Sequence, residues 1–93
     1  LAPDNARFAH YLARVLVNQD TIEALKKAHG YARLGAELEP GNADYHSTFG
    51  GVLLRAGLEK NALREYEQVL RLRPEDDYAK DQVRRLKLKT KLF

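Results

Sequence analysis

Three related phrases punctuate the chain: LAPDNA at its start, LEPGNA at residues 38–43 and LRPEDD at residues 72–77. Aligned on Pro3, Pro40 and Pro74, the sequence repeats itself. Two residues before each proline stands a leucine: Leu1, Leu38 or Leu72. Nine residues after each stands a large apolar residue: Leu12, Phe49 or Val83. Ten after stands a small one, Ala13 or Gly50, until Arg84 breaks the series. Counting back from the closing proline, Ala28 and Ala62 match at twelve, and Ala32 and Tyr66 correspond at eight. A period of about thirty-four residues implies supersecondary units that bury their apolar faces only by stacking on a neighbour.

Each unit reads as two helices. Residues 5–18, NARFAHYLARVLVN, set Phe8, Tyr11, Leu12, Val15 and Leu16 at three-and-four spacing on one face. In DTIE, Asp20 stands as an N-cap with Glu23 three residues on, the pattern of a capping box. The second helix then runs to about Glu37, with Leu25, Ala28, Ala32, Leu34 and Leu38 expected inside. Pro40 stops it by removing a donor and restricting the preceding residue, while Gly41 and Asn42 tolerate the turn.

The second unit repeats this logic. ADYHSTFGGVLLR is its first helix, Ala56–Gly57 the break and EKNALREYEQVLRL its second helix. Glu67 and Arg71 stand at i,i+4 on the exposed side, where a pair is favourable. Beyond Pro74, the acids Glu75, Asp76 and Asp77 suit the positive end of a fifth helix, expected from Asp76 to Lys87 or a little further. Strict alternation occurs only in LKLKTKL at the end, so a sheet is not supported. The predicted fold class is all-α: a right-handed α-solenoid of two helix-turn-helix repeats and a C-terminal capping helix. One domain spans residues 1–93, with units at 4–40 and 41–74 and the cap at 75–90. Leu1 and Pro3 read as the close of a preceding unit, which makes the chain an expected fragment of a longer protein.

On these residues the chain resembles the tetratricopeptide repeat family. Phe49–Gly50, Leu53, Gly57, Ala62, Tyr66 and Pro74 stand where that family has large-small, bulky, glycine, alanine, aromatic and proline. The first unit keeps Leu12–Ala13, Leu16, Ala28 and Pro40 but has Ala32 at the aromatic position, with Tyr31 beside it as a stand-in. Its prolines are thirty-seven residues apart, which places about three extra residues between its helices. The small positions suit close approach of stacked helices, with Tyr66 and the Leu/Phe positions filling the remaining space. Arg84, at a formerly small position, marks the last helix as a polar-backed cap, and Asp81, Arg85, Lys87 and Lys89 keep its outer side wet.

The resemblance implies a groove lined by the first helix of each unit. Its residues here are Arg7, His10, Arg14, Val17 and Asn18 in the first unit. Asp44, Ser47, Gly51, Leu54 and Arg55 follow in the second, and Tyr78, Asp81 and Arg85 on the cap. Arg7, His10 and Arg14 share one helix face, a basic pocket suited to an acidic segment or a terminal carboxylate; a solvated face is the alternative. Family members that grip the acidic tails of cytosolic heat-shock chaperones use a Lys/Asn/Asn/Lys/Arg set. This chain has His10, Arg14, Thr48, Tyr78 and Gln82 at those places.

No catalytic pattern accompanies the repeats. His10, His29 and His46 lack HExxH spacing, and Gly50–Gly51 belongs to neither a P-loop nor a dinucleotide turn. Neither enzyme activity, a cofactor nor a metal is expected. Cysteine is absent, which removes thiol chemistry and leaves the redox compartment undecided. No apolar run approaches the roughly eighteen residues of a membrane span. The net charge of +3 is concentrated at the end, where Lys80 to Phe93 carry six Lys or Arg against one Asp. That run reads either as a solvated helix end or as a contact for nucleic acid or an anionic membrane. Its only aromatic is Phe93, which disfavours base stacking. The expected role is a protein-interaction module that holds a partner peptide or segment in the groove, an acidic one if the basic face is used. The alternative is a structural segment that caps a longer array or self-associates through Phe8, Tyr11 and Val15.

Overall fold

A computed structural model describes residues 4–91 of the chain. Those residues are all-α: α1 (Asp4–Val17), α2 (Ile22–Leu38), α3 (Ala43–Arg55), α4 (Glu59–Leu72) and α5 (Asp77–Lys91). Each helix packs on the next along the chain, and α1 also meets α3. The fold measures 40 × 30 × 17 Å, and its thinnest dimension fits two helices of roughly 10 Å each. Leu1, Pro3 and Phe93 lie outside the described residues.

The second pair follows the expected limits closely because its boundaries carry strong local chemistry. Asn42 caps α3, its side chain accepting from the Tyr45 amide at 3.3 Å. Gly57 turns the chain at φ 78°, a left-handed conformation that glycine adopts without a Cβ clash. Asp76 caps α5 by accepting from the Ala79 amide at 2.9 Å, and Asp77 sits in the first turn. The helix extends further than expected, through the alternating LKLKTK run to Lys91. Lys89 reaches Glu59 at 2.6 Å and Lys87 reaches Glu67 at 3.9 Å. Glu67 therefore pairs across helices, and the expected contact with Arg71 is not made.

The first pair departs from expectation in four places. Thr21, in an extended conformation, caps α2 by accepting from the Ala24 amide at 3.0 Å; Asp20 is outside the helix and makes no capping box. The buried stripe of α1 is Ala6, Ala9 and Ala13, not the larger apolar residues; Phe8, Tyr11 and Val15 are exposed, the state the self-association alternative requires, and Leu12 and Leu16 are half-buried. On α2, Leu34 is also exposed; Gly35 and Ala36 are buried beside the expected Ala28 and Ala32. Gly35 brings the pair close: a Cβ there would lie 3.5 Å from the Ala6 carbonyl and 3.7 Å from the His10 amide nitrogen. Tyr31 does not stand in for the missing aromatic. The space beside Ala13, Ala28 and Ala32 is filled from α3 by Val52, with Phe49 half-buried beside it.

The second core is built around Tyr66, which is fully buried with Leu53, Ala62, Val69 and the α5 residues Ala79, Val83 and Leu86. Its ring lies on α3 at Gly50, where a Cβ would come within 2.9 Å. Such an approach excludes every residue but glycine unless the ring shifts. Among the described residues the Tyr66 hydroxyl is buried without a partner at hydrogen-bonding geometry, and burial, then the nearby Tyr78 phenol, push its ionisation well above the ordinary range. A clasp ties the turn after α2 to the second pair. His46, buried on α3, donates from Nε2 to the Pro40 carbonyl at 2.7 Å and meets the Glu65 carboxylate of α4 through Nδ1, also at 2.7 Å. A carbonyl can only accept, so Nε2 carries a proton.

Two substitutions test this packing by urea denaturation. Gly50→Val is expected to lose about 1–3 kcal/mol or more through overpacking against the Tyr66 ring. Tyr66→Phe removes an unsatisfied buried hydroxyl while keeping the ring, so it is expected to leave stability unchanged or raise it. A marked loss in Tyr66→Phe would mean that the hydroxyl has a stabilising partner.

Candidate functional site

The first helices of the two pairs lie side by side, and the expected groove residues distribute unevenly along them. Arg14, Val17 and Asn18 of the first unit meet Gly51 and Arg55 of the second around one cleft of 330 Å³. Thr48 and Val52 complete its lining. Among the described residues Arg14 has no carboxylate within 4.0 Å. Arg55 has only Asp20, at 3.6 Å, and Asp20 is almost fully exposed. A contact of that length between exposed groups contributes little. The cleft thus presents two guanidinium groups, an amide and a hydroxyl over the apolar floor of Val17 and Val52. Such a set suits carboxylate oxygens from an extended chain.

The remaining expected residues do other things. His10 is half-buried between α1 and α3; Nε2 hydrogen-bonds the Thr48 hydroxyl at 2.7 Å, and the ring packs on Tyr45 at 4.4 Å. Burial lowers its pKa from 6.5, the Arg14 charge lowers it further, and the Asp44 charge works in the opposite direction. Arg7 is exposed on α1, and Ser47 is half-buried on α3, but neither lines the cleft. Leu54 turns the other way and packs against the Tyr66 core. Tyr78 is exposed on α5, its ring edge-on to Tyr66 at 5.9 Å.

Several charges considered for the groove are already matched. Asp44 accepts from Arg73 at 2.8 Å, and Arg73 also approaches Asp76 at 3.7 Å. Asp44 and Arg73 border a larger cleft of 580 Å³ at the other end of α3, whose one lining cation is Arg73. That cleft offers an incoming anion nothing unpaired. Asp81 pairs with both Arg84 and Arg85, while Lys87 and Lys89 dock on α4. Four of the six basic residues of the run form an internal network, with Lys80 and Lys91 outside it among the described residues. Among the described residues no cluster of three His, Asp or Glu could hold a metal, and no helix is long and apolar enough to cross a membrane.

Thr48 and Val52 were the hidden members of the cleft. Thr48 stands where the sequence offers only a departure from the clamp pattern, and its tie to His10 spans 38 residues. Val52 follows Gly51 in an apolar run that gives no hint of which side faces α1.

The state of His10 predicts an acid-side stability loss. Above pH 6.5 neither the folded nor the unfolded chain carries the proton, so this residue makes no difference. As pH falls below 6.5 the unfolded chain binds it first, and stability declines until the lowered folded-state pKa is passed. Urea denaturation between pH 7.5 and pH 5 should show a shallower loss in His10→Gln than in the parent. Equal slopes would mean that His10 is not held neutral by the fold.

No protein-family model matches the chain, and no curated protein matches it.

Proposed function

We propose that the chain is a non-catalytic protein-interaction module of the tetratricopeptide repeat kind, an α-solenoid segment that holds an acidic peptide along α1 and α3. The observation that carries this reading is the cleft in which Arg14 and Arg55 stand without a strong carboxylate partner beside Asn18 and Thr48. The repeat supports it. Small residues Ala13, Ala28, Gly50 and Ala62 are buried at matching positions, and α1 lies against α3 in the order that stacked units require. An extended peptide in such a groove gains affinity from paired charges and is positioned by forked hydrogen bonds. Titration with a synthetic Glu/Asp-rich peptide, followed by amide NMR shifts, should perturb Arg14, Asn18, Gly51 and Arg55. Arg14→Ala with Arg55→Ala should weaken binding about tenfold or more, and added salt should weaken the parent. Shifts that never cluster on these residues would refute the groove.

A second reading has its own support. On α3, Tyr45, Thr48 and Val52 pack on the first pair; Ala79 and Leu86 hold the equivalent places on α5 and are buried on the second. The same positions on α1 are Phe8, Tyr11 and Val15, which are 62%, 60% and 41% exposed. A face built for stacking is open, so the segment serves as part of a longer array or associates with another copy. Sedimentation velocity over a range of concentrations should show association that Phe8→Glu with Tyr11→Glu abolishes. A parent that stays monomeric at every concentration counts against self-association.

A further inference from the structure

The Arg14–Arg55 cleft does not end at the edge of the groove. It shares Val17 and Arg55 with a cleft of 270 Å³ beside Asp20 and Thr21. That cleft in turn shares Ile22 and Leu25 with one of 330 Å³, bordered by His29 and Leu58. The three clefts therefore adjoin in series, a stepped trench with shared walls, from the α1–α3 side past the connection between α1 and α2 to the side of α2 that carries His29. Its chemistry changes along the way. The start is cationic, at Arg14 and Arg55; the far end is apolar, with Ile22 75% and Leu58 43% exposed.

The extra residues of the first unit create the far end. They do not lengthen the connection so much as they lengthen α2, which starts six residues before Ala28. The matching α4 starts only three residues before Ala62. Ile22 stands on this added helical turn, where the second unit has the turn residue Ala56. Helix α2 thereby carries an apolar side chain beyond the groove, next to Leu58 of the following turn.

We infer that the trench is a two-part peptide site, which takes an extended segment carrying acidic residues and, a short distance along, a bulky aliphatic or aromatic residue. The inference rests on the groove reading above and extends it. Charge complementarity fixes the first part: Arg14 and Arg55 lack a buried carboxylate and sit where the segment enters. Shared walls supply the second: Val17 and Arg55 border both the first and second clefts, Ile22 and Leu25 both the second and third, and the Asp20–Arg55 contact at 3.6 Å where the first two meet is exposed. The apolar anchor leaves water in the Ile22–Leu58 cleft, a transfer large enough to raise affinity about tenfold.

Fluorescence anisotropy with three kinds of labelled synthetic peptide tests this. One carries a Glu block alone. One carries the block followed by a Gly/Ser spacer of varied length and Leu-Phe, in both chain directions. One carries Leu-Phe with the Glu residues replaced by Gln. The Glu-plus-Leu-Phe peptide is expected to bind about tenfold tighter than the Glu block at its best spacer length. Ile22→Ser and Leu58→Ser, both at exposed side chains, should abolish that gain and leave the Glu block's affinity unchanged. Binding of the Glu block with no gain from Leu-Phe overturns this inference and leaves the groove standing. Absence of binding by every Glu-containing peptide overturns both. Gln-Leu-Phe binding as tightly as Glu-Leu-Phe, insensitive to Arg14→Ala, overturns the groove and with it the two-part site.

Discussion

The contact between the Tyr66 ring and Gly50 determines how near α4 and α3 can lie, and much of the remaining architecture depends on it. A ring set on a bare backbone lets the two axes approach while filling the space a larger pair would need. Ala62 continues the small surface, so that Leu53, Val69 and the inner side of α5 close around the same ring. The first pair solves the same problem without an aromatic. Ala13, Ala28 and Ala32 are too small to fill the junction, and the missing volume comes from Val52 and Phe49 on the next unit. The first pair consequently depends on the second for its core, whereas the second carries its own. Close packing of this kind responds to single methylenes, since interiors at crystal-like density have little slack.

Charge is divided along the molecule in a way that net charge conceals. The acids of α4 and α5 neutralise most of the basic C-terminal run at short range, and Arg73 gathers Asp44 and Asp76 around the end of α4. The guanidinium groups of Arg14 and Arg55 have no comparable arrangement. Much of the basic C-terminal run is thus paired, while Arg14 and Arg55 face a shared cleft with only the exposed Asp20 near them. Local pairing, and not the count of Lys and Arg, decides where an anion is attracted.

The limits of α3 and α4 were legible in the sequence because Asn42, Gly57 and the prolines act locally. The inner face of α1 was not. Periodicity ranks residues by apolarity, so Phe8, Tyr11 and Val15 look like a core stripe; in tightly apposed helices the small residues Ala6, Ala9 and Ala13 go inside instead. Thr21 and Asp20 are both competent caps that periodicity does not separate, and in the fold the Thr21 hydroxyl takes the Ala24 amide. The groove was legible in part: Arg14, Val17, Asn18, Gly51 and Arg55 converge on one cleft, while Leu54 belongs to the core. The adjoining cleft at Ile22 and Leu58 was not legible, because three added residues read as a longer loop until their helical conformation is seen.

The His46 clasp bears on the entropy of the turn between the pairs. His46 holds the Pro40 carbonyl and the Glu65 carboxylate at 2.7 Å each, so the turn that leaves α2 is fastened to both helices of the second pair. Fixing such a segment costs conformational entropy, and two short hydrogen bonds made largely out of water offset part of that cost. The turn is thereby part of the second pair's folded unit and not a free hinge beside it.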